Sequence, residues 1–282
     1  MDSCVDIAVP LPGDIGLVMS EGASEGVTYA TRQLQLGFRL IDHGKDLSEE
    51  AVGFGLPVVK RGLHAVFPGT VALTLERDGS LWRAEARFTF NLIERISRGS
   101  SPALSSRLIY VVKDLLAAAI RRSRVLRGPL TAASSRLRSL LDLKTVYEEA
   151  GFHSALVVHF AVDSATGVIR VSLDASPLVG QGVTELILMN EQGGTAFDTY
   201  RDSAGAALRG ARIGAWDRVT APEASMVSST RKIAFTVAGG DGARLYRGRE
   251  VVGSRLAWAG FGYSFDPALG KLDYLIRLER VP

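Results

Sequence analysis

Residues 70–93, TVALTLERDGSLWRAEARFTFNLI, predict an antiparallel β-hairpin. Two alternating runs flank Arg77-Asp78-Gly79-Ser80, and Asp-Gly in such a position favours a tight turn because both residues tolerate positive φ. The second run has an apolar face that alternates with a polar one. That apolar face comprises Trp82, Ala84, Ala86, Phe88, Phe90 and Leu92. Alternation over this length is typical of strands that pack one face on a core.

The remainder of the chain is also dominated by strand patterns. Residues 27–41, VTYATRQLQLGFRLI, alternate cleanly, and after Gly151 seven further runs are separated mostly by turns rich in Gly. Residues 42–69 are rich in Gly and Pro, which predicts a long excursion with one short strand at most. We therefore expect a mainly β protein, built as a large antiparallel β-sandwich or as one or two barrels.

One basic segment interrupts the strand patterns. Residues 102–147 hold nine Lys/Arg against two acids, a local balance of +7 in a chain whose net charge is +3. Ser101-Pro102 is a good helix start, apolar residues recur with helical spacing, and Gly128-Pro129 is a good stop. The pattern predicts an amphipathic helical hairpin inserted between a β portion at 1–100 and another at 151–282. The insert takes up 101–150, and one continuous β domain is the alternative.

The basic face of this insert suggests an anionic partner. Arg121, Arg122 and Arg124 would contact an anionic membrane surface or a protein if the apolar face of the hairpin is free. Packing of that apolar face on the β body is the simpler interpretation. Nucleic acid fits least well, because Tyr110 and Tyr147 are the only aromatic residues in the segment and the rest of the chain is net acidic.

Composition narrows the class of protein. Hydrophobic residues make up 46% and charged residues 22%, as in packed globular proteins. Cys4 is the only cysteine, so neither an internal disulfide nor a thiolate metal site can form. The N-terminal residues lack a basic start, and no run reaches the ~18 apolar residues of a spanning helix. We expect a cytoplasmic protein, and no pattern identifies a cofactor.

Carboxylates near residues 190–202 are the candidate catalytic groups. Glu191, Asp198 and Asp202 occur beside Tyr200 in a polar stretch between two strand patterns. Paired carboxylates can donate and accept protons during reactions of carbohydrates. The competing interpretation is a set of solvated acids near Arg201.

The strand RLAWAGFGYSF, residues 255–265, is the candidate ligand site. Trp258 shares a face with Gly260 and Gly262, which leaves a shallow slot beside the indole ring. Phe261 and Tyr263 lie on the other face. The slot could hold a ring or an acyl chain of a ligand, or another side chain of the protein could fill it.

Three other patterns give weaker indications of function. Gly22-Ala23-Ser24-Glu25-Gly26 matches the G-x-S-x-G pattern, but the strand follows it instead of preceding it. Gly53-Phe54-Gly55 lacks the spacing of a phosphate loop. The four histidines, His43, His64, His153 and His159, do not have the spacing of a metal site.

Three functions remain open at this stage. The first is a binding scaffold for a small, largely apolar ligand in a β cavity near Trp258, Phe261 and Tyr263, with the helical hairpin as a lid or docking surface. The second is an enzyme that acts on a carbohydrate or a related polar substrate through Glu191, Asp198 and Asp202. The third is a non-catalytic partner of another protein.

Overall fold

A computed structural model describes residues 6–23, 35–62, 64–98, 143–252 and 256–282 of the 282-residue chain. Nineteen strands lie in these ranges, and the strands form two antiparallel sheets. The strands are β1 (Asp6–Leu11), β2 (Ile15–Ser20), β3 (Gly22–Ala23), β4 (Arg39–Asp42), β5 (Lys45–Asp46), β6 (Gly53–Arg61), β7 (His64–Asp78), β8 (Leu81–Arg98), β9 (Leu143–Asp163), β10 (Val168–Asp174), β11 (Glu185–Gln192), β12 (Thr199–Asp202), β13 (Ala207–Arg209), β14 (Asp217–Val219), β15 (Glu223–Ser228), β16 (Ile233–Gly239), β17 (Arg244–Val252), β18 (Leu256–Phe265) and β19 (Lys271–Arg280).

The hairpin expected from residues 70–93 is confirmed. Strands β7 and β8 pair antiparallel up to Asp78↔Leu81, so the connection is the two-residue turn Gly79-Ser80. Gly79 has a φ of +60°, as a tight turn between twisted strands requires. Ala84, Ala86, Phe88 and Phe90 of the predicted apolar face are buried.

The large sheet has fifteen strands and folds over on itself. Its order is β13-β12-β15-β16-β19-β10-β9-β8-β7-β6-β11-β18-β17-β14, with β3 added beside β7. Seven strands lie between β16 and β18 in that order, yet the rings of Phe235 and Phe261 are 5.8 Å apart. A second contact also joins the two ends of this order: the ring of Tyr263 on β18 lies 4.4 Å from the ring of Tyr274 on β19. The inner faces of the two halves therefore pack face to face around one apolar core.

The structure differs from the predicted strands in three respects. The described strands do not close a barrel, because the order of the large sheet ends at β13 on one side and β14 on the other. The stretch 42–69 also holds more than one short strand, since nine-residue β6 lies between β7 and β11 in the middle of the sheet. Residues 35–38, expected within a strand, precede β4 and join β6 through a single bridge, Phe38↔Phe54.

The predicted helical hairpin at 102–147 is not supported by the described residues. Its last part, 143–147, belongs to β9, which pairs with β8 out to Arg98↔Leu143. The described helical elements are three short 3₁₀ turns, Ser176–Leu178, Gly210–Ile213 and Pro267–Leu269. Arg121, Arg122 and Arg124 lie outside the described residues, so their contact with an anionic surface stays a prediction. Because Arg98 and Leu143 are paired, the chain leaves and re-enters the sheet at adjacent points.

A smaller sheet of order β1-β2-β4-β5 packs against the same core. Its alternate residues Ile7, Val9, Leu17 and Leu40 are buried, so the sheet has one apolar face. Among the described residues, no helix has the length and apolar character needed to cross a membrane.

Candidate active site

The candidate site lies on the face of β11, β18 and β17 that points away from Phe261 and Tyr263. This face, called the outer face below, carries Glu191, Trp258 and Glu250. Glu191 pairs with Gly260, Gly260 pairs with Gly248, and Glu250 pairs with Trp258. Directly paired residues share a face, so the strand register brings the two carboxylates to the same side of the sheet.

Glu191 is a buried acid with little compensation for its charge. The residue is 4% exposed, and a backbone hydrogen bond from Val52 is its stabilising contact. Burial, with a smaller contribution from the charge of Glu250, raises the pKa of Glu191 to about 8. Glu191 is therefore mostly protonated at neutral pH and can donate a proton.

The residue of β18 that faces Glu191 is a glycine, Gly260. Gly260 lies between Glu191 and the strand that carries Glu250, and it contributes no side chain to the space between them. A Cβ at Gly260 would clash with the carbonyl of Asn190 and would lie 2.7 Å from Cα of Glu191. The backbones of β11 and β18 thus approach too closely here for any other residue.

Two indole rings lie on the outer face, where Trp258 pairs with Glu250. Trp258 and Trp216 are stacked, with ring centroids 5.0 Å apart and an interplanar angle of 22°. Trp258 is 8% exposed, whereas Trp216 is partly exposed. The slot predicted beside Trp258 is therefore present, and Trp216 fills it.

A cluster of charged and polar groups lies at the opposite end of β11. Lys60 Nζ is 2.7 Å from Glu185 Oε2, and Arg244 Nη2 is 3.7 Å from Glu185 Oε1. Ser264 also donates a hydrogen bond to Glu185. Burial alone would raise the pKa of Glu185, but the hydrogen bonds from Lys60 and Ser264 outweigh it and lower the pKa. Glu185 therefore stays ionised while Glu191, on the same strand, is protonated.

The structure does not bring Asp198 and Asp202 together with Glu191. Asp198 accepts hydrogen bonds from the backbone and hydroxyl of Ser229, and Arg209 lies 3.5 Å away. Burial acts to raise the pKa of Asp198, but the bonds from Ser229 lower it overall.

Asp202 accepts a hydrogen bond from the hydroxyl of Tyr200 at 2.7 Å and binds two backbone amides of its own turn. The guanidinium of Arg247 lies over the Tyr200 ring, and Arg247 pairs with Phe261, on the face opposite Glu191. Both aspartates are therefore held by local partners. A catalytic role for either stays a prediction that these positions do not test.

Phe261 and Tyr263 do not share a cavity with Trp258. Successive side chains of β18 alternate, so these two point into the core while Trp258 lies on the outer face. The ring of Phe261 packs edge-on against Phe235, and Tyr263 packs against Tyr274. Side chains of the protein fill this part of the core, and ligand binding by Phe261 or Tyr263 stays a prediction.

The remaining motifs have structural partners. The amide of Gly55 donates to the side chain of Asn190 at 3.1 Å inside the core, so it is not open to a phosphate. Among the described residues, no group of three or more His, Cys, Asp or Glu side chains is arranged to hold a metal ion. Ser24 of the G-x-S-x-G match lies outside the described residues.

Sequence reasoning missed Glu250 and Trp216. Glu250 becomes a neighbour of Glu191 only through the register of β17 on β18, and Gly248 opposite Gly260 is the signal that could have fixed that register. Trp216 reaches the slot from the connection before β14. Gly214 two residues earlier, with a φ of +87°, marks the sharp change of direction.

No protein-family model and no curated protein matches the chain. Solved structures do match. The α-N-acetylgalactosaminidase NagBb from Bifidobacterium bifidum, in complex with GalNAc, is 10% identical with a TM-score of 0.50, over 97% of this chain and 36% of that chain. This chain spans about a third of the length of that enzyme, and the likeness is one of fold.

Two further matches are weaker. A proposed mutarotase, YeaD from Salmonella typhimurium, is 10% identical with a TM-score of 0.39 over 99% of this chain and 92% of that chain. A protein of glycosyl hydrolase family 38 from Enterococcus faecalis is 9% identical with a TM-score of 0.40 over 95% and 30%.

Proposed function

We propose that the outer face around Glu191 and Glu250 is a carbohydrate site at which the two carboxyl groups perform acid–base chemistry. The observation that carries this proposal is a buried, protonated glutamic acid on the same face of the sheet as a second glutamate, whose charge contributes to the raised pKa of that acid. In such an arrangement Glu191 would be the acid and Glu250 the base.

A carbohydrate is the substrate class that suits the surroundings. Indole rings pack against the C–H face of a sugar ring, and carboxyl groups bond its hydroxyls. The α-N-acetylgalactosaminidase with the same fold binds GalNAc, which makes this sugar a suitable first probe. The fold alone does not specify the reaction, so the proposal rests on the carboxyl pair.

Interconversion of the anomers of a free sugar needs only one acid and one base. Glu191 would donate its proton to the ring oxygen while Glu250 accepts the proton of the anomeric hydroxyl, so that the bond between C1 and the ring oxygen breaks. The open-chain aldehyde rotates about the bond between C1 and C2. Ring closure then returns both protons and leaves the enzyme unchanged. No nucleophile and no cofactor enters this sequence.

Polarimetry on freshly dissolved α-anomers of galactose and GalNAc tests the proposal. We expect the wild-type protein to accelerate mutarotation and Glu191→Gln to reduce kcat by about 10²-fold or more, the usual contribution of a positioned acid. Glu250→Gln should cause a similar loss. Glu76→Gln, at an exposed position of β7, is the matched control and should leave the rate unchanged.

Three outcomes would contradict the proposal. Full activity of a folded Glu191→Gln variant would remove the acid from the mechanism. If the wild-type protein neither binds nor converts the sugars, the carbohydrate site itself is wrong. Binding without any rate enhancement would reduce the protein to a carbohydrate-binding module and exclude the acid–base role.

A further inference from the structure

Three glycines form a floor on the outer face next to Glu191. Gly248 of β17 pairs with Gly260 of β18, and Gly262 lies two residues further along β18 on the same side. Side chains of Trp216, Trp258 and Ile187 lie over this glycine floor. Because Glu191 pairs with Gly260, the floor extends to the proposed acid.

Two indole rings pack directly on the glycine floor. A Cβ at Gly262 would lie 2.7 Å from Cζ3 of Trp216 and 3.5 Å from Cγ2 of Ile187. A Cβ at Gly248 would lie 2.7 Å from Cζ3 of Trp258. Trp258 therefore lies over Gly248, and the six-membered ring of Trp216 lies over Gly262. Any larger residue at either glycine would displace an indole.

Trp216 occupies the space above the glycine floor at a conformational cost. Its φ is +60°, a region that bulky residues rarely adopt. Such strain persists where surrounding contacts compensate for it, and stacking on Trp258 supplies the compensation. Unlike Trp258, Trp216 is partly exposed and enters from a loop, so movement of its ring need not disturb a strand.

The loop has a fixed anchor beside the tryptophan. The carbonyl of Gly214 accepts a hydrogen bond from the amide of Arg249 at 2.9 Å. Arg249 in turn donates to the carbonyls of Gly194 and Phe197 at 2.9 and 3.1 Å. Trp216 can therefore change conformation while the preceding backbone stays attached to β17.

We propose that the space above the glycine floor is the subsite for a pyranose ring, and that Trp216 occupies it until a sugar displaces the indole ring. The sugar would stack on Trp258, and its hydroxyls would reach Glu191 and Glu250 across Gly260. This inference rests on the proposed function, because the carboxyl pair defines the ligand as a carbohydrate. Trp216 thus competes with the substrate and determines which rings enter.

Removal of the indole tests the proposal directly. Trp216→Gly empties the space, and glycine adopts a φ of +60° without strain, so the backbone of the loop is preserved. The chain has three tryptophans, Trp82, Trp216 and Trp258. In a Trp82→Phe background, Trp216→Gly leaves Trp258 as the only fluorophore, beside the emptied space. Trp216→Phe, which keeps a ring, is the matched control.

Two probes separate the slot from the carbohydrate. Free indole should bind only Trp216→Gly, as measured by isothermal titration calorimetry because indole itself fluoresces. GalNAc, followed by the fluorescence of Trp258, should bind that variant at least ten-fold more tightly than it binds the parent or the Trp216→Phe control. A sugar affinity that falls on removal of the indole would show that Trp216 is part of the binding platform, which contradicts the inference and leaves the proposed function intact.

A slot that forms but binds no sugar would give a different result. If indole enters only Trp216→Gly but neither this variant nor the wild-type protein binds GalNAc, galactose or glucose, the slot exists and its ligand is not a sugar. That result would overturn the carbohydrate function together with this inference. If indole fails to bind the folded variant, no slot forms when Trp216 is removed, and the inference alone is wrong.

Discussion

Arg280 donates a hydrogen bond to the carboxylate of Asp42 at 2.6 Å. This contact joins β19, the last strand of the chain and part of the large sheet, to β4 of the small sheet. Asp42 is 1% exposed, and Arg231 approaches its second oxygen at 3.5 Å. Arg280 also donates to the carbonyl of Gly13, so a single guanidinium fixes two segments of the small sheet.

Asp42→Asn should therefore destabilise the protein substantially. The variant leaves two cations near a buried position without their counter-charge, and breaking such a pair costs about 3 kcal/mol. Urea unfolding at pH 7 measures this loss. Glu223→Gln is the control, because its pair with Arg277 is solvent-exposed on both sides and should contribute under ~1 kcal/mol. Equal losses of stability in the two variants would show that the ion pair of Asp42 does not hold the two sheets together.

The two tyrosines that meet in the core should respond differently to loss of their hydroxyls. Tyr274 donates to Asn190 at 2.9 Å, whereas the buried hydroxyl of Tyr263 has no hydrogen-bond partner among the described residues. Tyr274→Phe should cost about 1 kcal/mol, since it removes a satisfied hydrogen bond. Tyr263→Phe should be neutral or stabilising, because it removes an unpaired polar group from the core. Thermal and urea unfolding of both variants check the difference, and equal losses of stability in the two would contradict it.

The alternating strands of the fold were predictable from sequence because one of their faces is apolar. Strand β8 alternates from Trp82 to Leu92, and the Asp-Gly signal at 78–79 lies at its turn, which is formed by Gly79-Ser80. Strand β6 could not be found in this way. Every residue from Gly53 to Val59 is buried, so no alternation remains, and Pro57 argues against a central strand. The bulge at Gly55, which slips the pairing with β11 between Met189 and Asn190, hides the register further.

The candidate site was predictable only in part. Glu191 was identified as an acid, but it was assigned to a loop with Asp198 and Asp202 because all three share one polar stretch. In the structure Glu191 belongs to β11, which ends at Gln192, whereas Asp198 and Asp202 lie beyond it on the chain. Glu250 and Trp216 are distant in sequence from Glu191: strand pairing brings Glu250 to the outer face, and Trp216 stacks on Trp258 from the connection before β14. One sequence without a known register cannot supply those neighbours.

Gly260→Ala should move Glu191 and lower stability. A methyl group at this position would contact the backbone of Asn190 and Glu191, and such overpacking costs about 1–3 kcal/mol. Gly151→Ala in β9 is the matched control, because a Cβ there has no heavy atom within 4 Å. We expect Gly260→Ala to reduce mutarotation more than Gly151→Ala does, measured on protein verified as folded by circular dichroism. If the two variants behave alike, the close approach at Gly260 does not position the acid.

The raised pKa of Glu191 makes stability depend on pH. The unfolded chain has the ordinary glutamate pKa near 4.5, and the folded protein binds the proton up to about 8. Between these values the folded state holds more protons than the unfolded state, so the free energy of unfolding falls as pH rises. The contribution of Glu191 to the free energy of unfolding is fully present below a pH of about 4.5 and is lost by a pH of about 8. Urea unfolding of the wild-type protein at pH 5 and pH 8 measures that fall, and Glu191→Gln, which cannot ionise, should show a smaller one. The same fall in both proteins would mean that Glu191 is already ionised at neutral pH, and a residue charged at that pH could not donate the proton on which the carbohydrate chemistry depends.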